Sequence, residues 1–268
     1  MEQMYRVGSA ERPLRVALIG AGPSSFYAAE ALLSQPDLKV QVDMFDRLPT
    51  PFGLVRGGVA PDHQKIKSVI RVYERTSTLP GFRFFGHVWF GRDVVLEDLQ
   101  RYYDQIVFAV GSESDRRLGI PGEDLEGVHG ASAFVGWYNG HPDHRHLEFD
   151  LSRPRVAVVG VGNVAMDVAR ILAQKTERLA PTDIACHALD QLRSSRIEEI
   201  YVLGRRGVAQ AAFSPAEIKE IGSLEGVDLV VSPEDIAVDA VSEPDLADQA
   251  ARKNLEYLQA RASEGPQG

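Results

Sequence analysis

Val16-Ala-Leu-Ile-Gly20-Ala-Gly22-Pro-Ser-Ser25 decides how this chain is read, and Val156-Ala-Val-Val-Gly160-Val-Gly162-Asn-Val-Ala165 repeats its logic further along. In each stretch an apolar run ends in Gly-x-Gly and leads into an apolar pattern of helical spacing. The first glycine allows a tight turn. The second lets backbone N–H groups approach a pyrophosphate, which then lies on the positive end of the helix. Leu14 to Ile19 and Val156 to Val159 supply the strands; Phe26-Tyr-Ala-Ala-Glu-Ala-Leu-Leu33 and Met166-Asp-Val-Ala-Arg-Ile-Leu172 supply the helices. Without that setting Gly-x-Gly is an ordinary loop sequence, so two coincidental turns in an α/β domain are the alternative. The third glycine position holds Ser25 and Ala165, where a small residue suffices for helix to pack on strand. Two such turns predict two dinucleotides and electron passage between them.

The strand after each turn separates the nucleotides. Val40-Gln-Val-Asp-Met-Phe45 leads to Asp46, a carboxylate placed to accept hydrogen bonds from adenosine ribose hydroxyls and to reject a 2′-phosphate. The matching strand of the second unit, Ile200-Tyr-Val-Leu203, ends in Gly204-Arg205-Arg206. Two guanidiniums there offer forked, charge-assisted hydrogen bonds to a phosphate, which predicts NADP rather than NAD. An exposed basic strand end is the plainer reading of the same residues.

Composition narrows the function further. A chain of 268 residues with 44% hydrophobic content is long enough for two cores. Its net charge of −9 argues against nucleic acid or an anionic membrane as the main partner. No apolar run reaches membrane-spanning length and residues 1–13 lack a secretory apolar core, so the expectation is a cytoplasmic protein. The lone Cys186 excludes a dithiol reductase and an iron–sulfur cluster held by this chain alone. His141-Pro-Asp-His144-Arg-His146 is the one tempting metal cluster, but it reads as a polar turn and no metal is expected.

Lys67, Arg71 and Arg75 share one face of an expected helix and read as a solvated stripe. Arg193 and Arg196 are weak candidates for docking an acidic protein. Pro181-Thr-Asp183 is expected to cap a further helix. Ser214-Pro-Ala-Glu217 is a helix start, with an N-cap hydroxyl, Pro at the first helical position and Glu three residues after the cap. From Ser242 the chain turns polar and helical through Leu246 to Leu258, and Ser263 to Gly268 reads as a frayed tail. The expected division is an extension over 1–13, the first dinucleotide domain over 14–110 and the second over 111–268.

Longer segments carry a family resemblance. Leu48-Pro-Thr-Pro-Phe-Gly-Leu-Val-Arg56, Gly58-Val-Ala-Pro-Asp-His-Gln-Lys-Ile-Lys67, Ile120-Pro-Gly-Glu-Asp124, Ala133-Phe-Val-Gly-Trp-Tyr-Asn-Gly-His-Pro142, Gly162 to Leu172 and Leu203 to Phe213 follow one another in the order of adrenodoxin reductase-type ferredoxin–NADP reductases, which they resemble. The resemblance implies an α/β fold of two interleaved Rossmann-like domains, and electron transfer from NADPH through FAD to a ferredoxin or similar iron–sulfur protein. It implies that Gly20, Gly22 and Ser24 surround the FAD pyrophosphate, Asp46 the ribose, Gly53 and Leu54 the flavin, and Val88 the adenine or ribose end. Val161, Gly162, Asn163 and Val164 would hold the second pyrophosphate, Arg205 and Arg206 the 2′-phosphate, and Arg116 would add a nucleotide contact, unless it is a solvated turn residue. His63 would tune proton or electron traffic near the flavin, and Glu217 would approach the nicotinamide ribose or amide. Taken alone, a His beside Asp62 is an ordinary structural pair, and Glu217 is an ordinary helix-start acid.

Members of that family continue past the point matching Gly268, with more strands of the NADP domain and a Trp- and Gly-containing return beneath the flavin. Both domains are therefore expected to be incomplete at their C-terminal side. A weakly active or non-catalytic nucleotide-binding remnant is one alternative. A reductase subunit of the glutamate-synthase kind is another, although that kind brings a Cys-rich region which this chain lacks.

Overall fold

The computed structural model describes residues 6–112 and 114–265. The expected 1–13 extension therefore lies partly, and the end of the expected frayed tail wholly, outside the described residues. The chain divides into two units: one runs through Val59 and resumes over His63–Arg116, and the other takes Ala60–Asp62 and everything from Arg117.

The first unit is a strand-and-helix alternation that closes into one parallel sheet. Its elements are β1 (Leu14–Ile19), α1 (Pro23–Leu33), β2 (Val40–Asp46), α2 (Gly53–Gly57), α3 (Gln64–Lys67), α4 (Ile70–Ser77), β3 (Phe82–Gly86), α5 (Leu96–Tyr102) and β4 (Gln105–Phe108). The strands lie in the order β3-β2-β1-β4, all parallel, with Leu14 opposite Val40 and Val16 opposite Gln105. That order places β1 where the winding reverses, and ligands bind such sheets outside the carboxyl ends of the strands at this point. Val16, Leu18, Val42 and Met44 are fully buried beside Phe26 and Tyr73, whose rings stack at 4.9 Å. One polar group is buried on β2. Asp43 accepts two hydrogen bonds from Arg83 at 2.7 and 2.6 Å and one from the Tyr103 hydroxyl at 2.6 Å, so its charge is satisfied.

The second unit comprises α6 (Ala131–Tyr138), β5 (Arg155–Val159), α7 (Asn163–Ala173), α8 (Thr176–Leu179), α9 (Cys186–Arg193), β6 (Glu199–Leu203), α10 (Pro215–Ile221) and α11 (Gln249–Glu264). β5 and β6 pair in parallel, Arg155 opposite Glu199. α7 lies in the core of this unit, burying Ala165, Met166, Ala169 and Ile171 among Trp137, Phe149, Leu189 and Ile218. Val159, Tyr201 and Leu203 stay half-exposed on the two strands.

Three local expectations change. The basic stripe is broken, because the helix stops after Lys67 and restarts at Ile70, and Lys67 is buried rather than solvated. Asp183 is not the N-cap of the next helix: α9 starts at Cys186 after an extended Ala185. The polar C-terminal stretch is helical in two pieces, a 3₁₀ turn over Glu243–Ala247 and α11 from Gln249, divided where the Asp248 carboxylate accepts the N–H groups of Ala250 and Ala251.

Candidate functional site

The first turn is built as its residues require. Gly20 has φ +100, and a β-carbon there would lie 2.4 Å from the Ala109 carbonyl oxygen, so only glycine fits. Gly22 is the opposite case. It is extended, forms the N-cap of α1 without a side-chain cap, and a β-carbon on it would meet nothing within 4 Å. The space in front of the helix start is open, and Pro23 at the first helical position removes a donor that would lack a partner anyway. Ser25, fully buried, donates its hydroxyl to the Gly20 carbonyl at 2.5 Å and so ties helix to turn.

Asp46 braces this turn from the end of β2. Its two oxygens accept the Ala21 N–H at 2.7 Å and the Leu48 N–H at 2.8 Å. Each carboxylate oxygen has a second lone pair, so both are able to accept a ribose hydroxyl as well. Val88 lies alongside, its N–H donating to the Asp46 carbonyl at 2.9 Å. The Pro-rich loop returns over the turn: Phe52 N–H donates to the Ala21 carbonyl at 2.8 Å, and a β-carbon on Gly53, at φ +48, would stand 2.8 Å from Gly22 Cα. Phe52 itself adopts φ 91, a strained conformation for a side-chain-bearing residue, and leaves Leu54 67% exposed at the mouth of the turn. These features fit a flavin dinucleotide: an open helix start for its pyrophosphate, an acid for its ribose and an exposed apolar side chain for its ring.

The second turn follows the same plan with different surroundings. Gly160 has φ +141 and sits against the Ala165 position, while a β-carbon on Gly162, the uncapped start of α7, would again meet nothing within 4 Å. Val161 is held by the Ala212 N–H donating to its carbonyl at 2.8 Å, and Val164 is half-exposed. The Asn163 side chain turns toward the chain itself, its Oδ1 accepting the Ser214 N–H at 2.8 Å. Arg205 and Arg206 both project from the end of β6 into solvent, and neither enters an ion pair with another described residue. Arg206, Asn163, Gln210 and Ser214 line one open groove of about 580 Å³. An uncapped helix start beside two uncommitted guanidiniums fits a dinucleotide bearing an additional phosphate.

Glu217 lies at the third position of α10 and is buried. Ser214 Oγ accepts the Glu217 N–H at 3.4 Å, but the reciprocal half of a capping box is absent, because Asn163 and not Glu217 takes the Ser214 N–H. α11 grips both ends of α10: Asn254 donates to the Phe213 carbonyl at 2.8 Å, and Arg261 to the Gly222 carbonyl at 2.6 Å. Asp62 pairs with Arg170 of α7, a residue that was no candidate on sequence. Its only signal was a cation three residues after Asp167 within an apolar helix face. His63 starts α3. Arg116 is exposed at the end of the first unit, whereas Arg117 pairs with Asp124. In the His-rich turn, His141 and His144 rings lie 5.3 Å apart and Asp143 N–H donates to His141 Nδ1 at 3.3 Å. Among the described residues no helix is long and apolar enough to cross a membrane.

Comparison with known proteins agrees with this geometry. The pyridine nucleotide-disulphide oxidoreductase family model matches residues 14–201. NADPH-ferredoxin reductase FprA of Mycobacterium tuberculosis is 48% identical over 261 residues, covering 95% of this chain and 57% of that protein. The mitochondrial NADPH:adrenodoxin oxidoreductase of Arabidopsis thaliana is 43% identical over 264 residues, 98% of this chain and 54% of that protein. The structure of Mycobacterium tuberculosis FprA in complex with NADPH superposes with a TM-score of 0.91 at 46% identity, covering 96% of this chain and 58% of that one. The chain thus spans a little over half the length of these relatives.

Proposed function

The chain belongs to the pyridine nucleotide-disulphide oxidoreductase family, and from that premise we propose that it holds FAD at the Gly20–Gly22 turn and NADPH at the Gly160–Gly162 turn, and carries electrons between them to a ferredoxin-type iron–sulfur protein. The observation that carries the reading is the contrast between the two strand ends: a carboxylate, Asp46, hydrogen-bonded to the first turn, and a free guanidinium pair, Arg205 and Arg206, beside the second. Flavin accepts a hydride's two electrons together and releases them singly, which suits a two-electron donor and a one-electron acceptor.

The chain's own residues have separate tasks in this scheme. The amides at the starts of α1 and α7 receive the two pyrophosphates, Asp46 accepts the ribose hydroxyls and the Arg pair grips the 2′-phosphate. Gly53, Leu54 and Val88 flank the flavin nucleotide; Val161, Gly162 and Val164 flank the pyridine nucleotide. Asn163 fixes the start of α10 on the second turn, and with it the place of Glu217, the acid proposed for the nicotinamide end. His63 is proposed near the flavin, and Arg116 as an outer nucleotide contact. The domains would run over 14–110 and 111–268, and the acidic composition with one thiol suits the cytoplasm.

A visible absorption spectrum with and without added FAD tests the first turn, and NADPH-driven reduction of a ferredoxin or dye tests transfer. A flavin spectrum that tightens on FAD addition and bleaches with NADPH is expected. A chain that takes up no FAD overturns the reading. FAD uptake without bleaching leaves nucleotide binding without electron transfer.

A further inference from the structure

Helix α7 carries a guanidinium that nucleotide binding does not use. Arg170 is wholly buried, and a buried charge persists only where partners replace its water. Its Nη1 donates to Asp62, its Nη2 donates to Asp167 at 2.5 Å, and its Nε faces Glu220 at 4.0 Å. Burial weakens its hold on the proton, and the negative charges of Glu220 and Glu217 work against that effect. From α6 the buried Tyr138 hydroxyl, without a hydrogen-bond partner among the described residues, faces the charge of Asp167, and its pKa is raised chiefly by burial. One cation therefore gathers four carboxylates from three places in the second unit: the 60–62 segment, α7 itself and α10.

We propose that Arg170 is a positioning residue for the nicotinamide end of the bound dinucleotide, acting through Glu217. The proposal rests on the NADP reading of the second turn. Without the cation, four carboxylates crowded around a buried site do not all stay ionised; a proton is taken up or a side chain turns outward. Glu217 is the member at the start of α10, next to the Asn163–Ser214 bond, and its displacement changes what meets the nicotinamide. The adenosine end does not depend on this cluster. Its contacts come from the Gly160–Gly162 turn and from Arg205 and Arg206, so loss of Arg170 splits the two halves of the ligand.

The test compares dissociation constants of NADP⁺ and adenosine 2′,5′-bisphosphate for the full chain, read by tryptophan fluorescence. Both constants are measured at about pH 8, where the phosphate monoesters of both ligands are fully ionised. Arg170→Met should change their ratio about fivefold while the bisphosphate binds as before. Arg170→Lys keeps a cation among the same carboxylates and should restore the ratio to within about twofold of the unmodified one. A parallel loss of both ligands in Arg170→Met shows a merely structural arginine and overturns the proposal, as does an unmodified ratio in that variant. If Arg170→Met fails to fold, Arg170→Gln takes its place, and an unmodified ratio there overturns the proposal. An unmodified chain that binds neither ligand overturns the functional reading itself, and this proposal with it.

Discussion

The side-chain oxygen of Asn163, the first residue of α7, accepts the backbone N–H of Ser214, the N-cap of α10, at 2.8 Å. One hydrogen bond thus joins the glycine turn that would receive a pyrophosphate to the helix that carries Glu217. The Asn163 side chain is therefore spent on the protein's own backbone, and what it offers a ligand at this turn would be its N–H group and the placement of α10.

Asn163→Ala should leave the Ser214 N–H without its acceptor and loosen the start of α10. A stability loss of about 0.5–1 kcal/mol is expected for this exposed bond. Denaturant melts check this. NADPH affinity should fall, whereas FAD affinity should not; an equal fall in both would detach Asn163 from the second turn.

Gly20 and Gly22 separate folding from binding at the first turn. Gly20→Ala places a β-carbon against the Ala109 carbonyl at positive φ and should cost at least about 1–3 kcal/mol. Gly22→Val places its branched side chain into open space at φ −89, ψ −177, which a β-branched residue adopts readily, so stability should stay within about 0.5 kcal/mol. It should nevertheless abolish FAD retention, because the side chain occupies the approach to the helix start. Thermal melts paired with flavin absorbance check both, and a Gly22→Val protein that keeps its flavin sinks the placement.

How much of this was legible in the sequence differs by kind of interaction. Leu14–Ile19 was readable because a parallel strand buried on both faces is a nearly continuous apolar segment, and the glycine turns because their chemistry is local. Lys67 was misread because spacing gives a helix face but not which side of it the rest of the fold covers, and Lys67 is buried. The bonds of Asn163 to Ser214 and of Arg170 to Asp62 join residues far apart in sequence. No pattern along the chain announces such pairs. Ser214, Pro215 and Glu217 read as a helix start and form one, but the sequence does not show that the Ser214 N–H goes to a distant asparagine rather than to Glu217.

Acid should weaken the first unit through Asp104. Its carboxylate accepts the Arg12 guanidinium at 2.5 and 2.9 Å and the Arg15 N–H at 2.9 Å, and its pKa is lowered, first by the Arg12 hydrogen bonds and then by that of Arg15. A depressed folded-state pKa means that this stabilisation is fully present above the unfolded value, near 3.9, and is lost as pH falls from there through the folded value. Asp104→Asn should therefore flatten the stability profile below about pH 4 while lowering stability at neutral pH. Urea midpoints across that range measure it, and unchanged acid sensitivity in the variant would exclude Asp104 as its source.

The discrimination between NADPH and NADH should reside in Arg205 and Arg206. Both guanidiniums stand exposed at the end of β6, with no carboxylate among the described residues paired to them, and Arg206 shares a groove with Asn163 at the start of α7. NADH lacks the 2′-phosphate, so it gains nothing from either fork. Arg205→Ala with Arg206→Ala should then weaken NADPH binding by roughly 2–4 kcal/mol, the value of two charge-assisted contacts, and leave NADH binding almost unchanged. Exposed charges are screened by salt, so the NADPH preference of the unmodified chain should also shrink as ionic strength rises, and the double variant should have no such dependence. Titrations of both nucleotides at low and high salt decide the point. An equal loss for NADPH and NADH would mean that the arginines support the fold of the strand end, and the assignment of the second turn to NADP would have to rest on other residues.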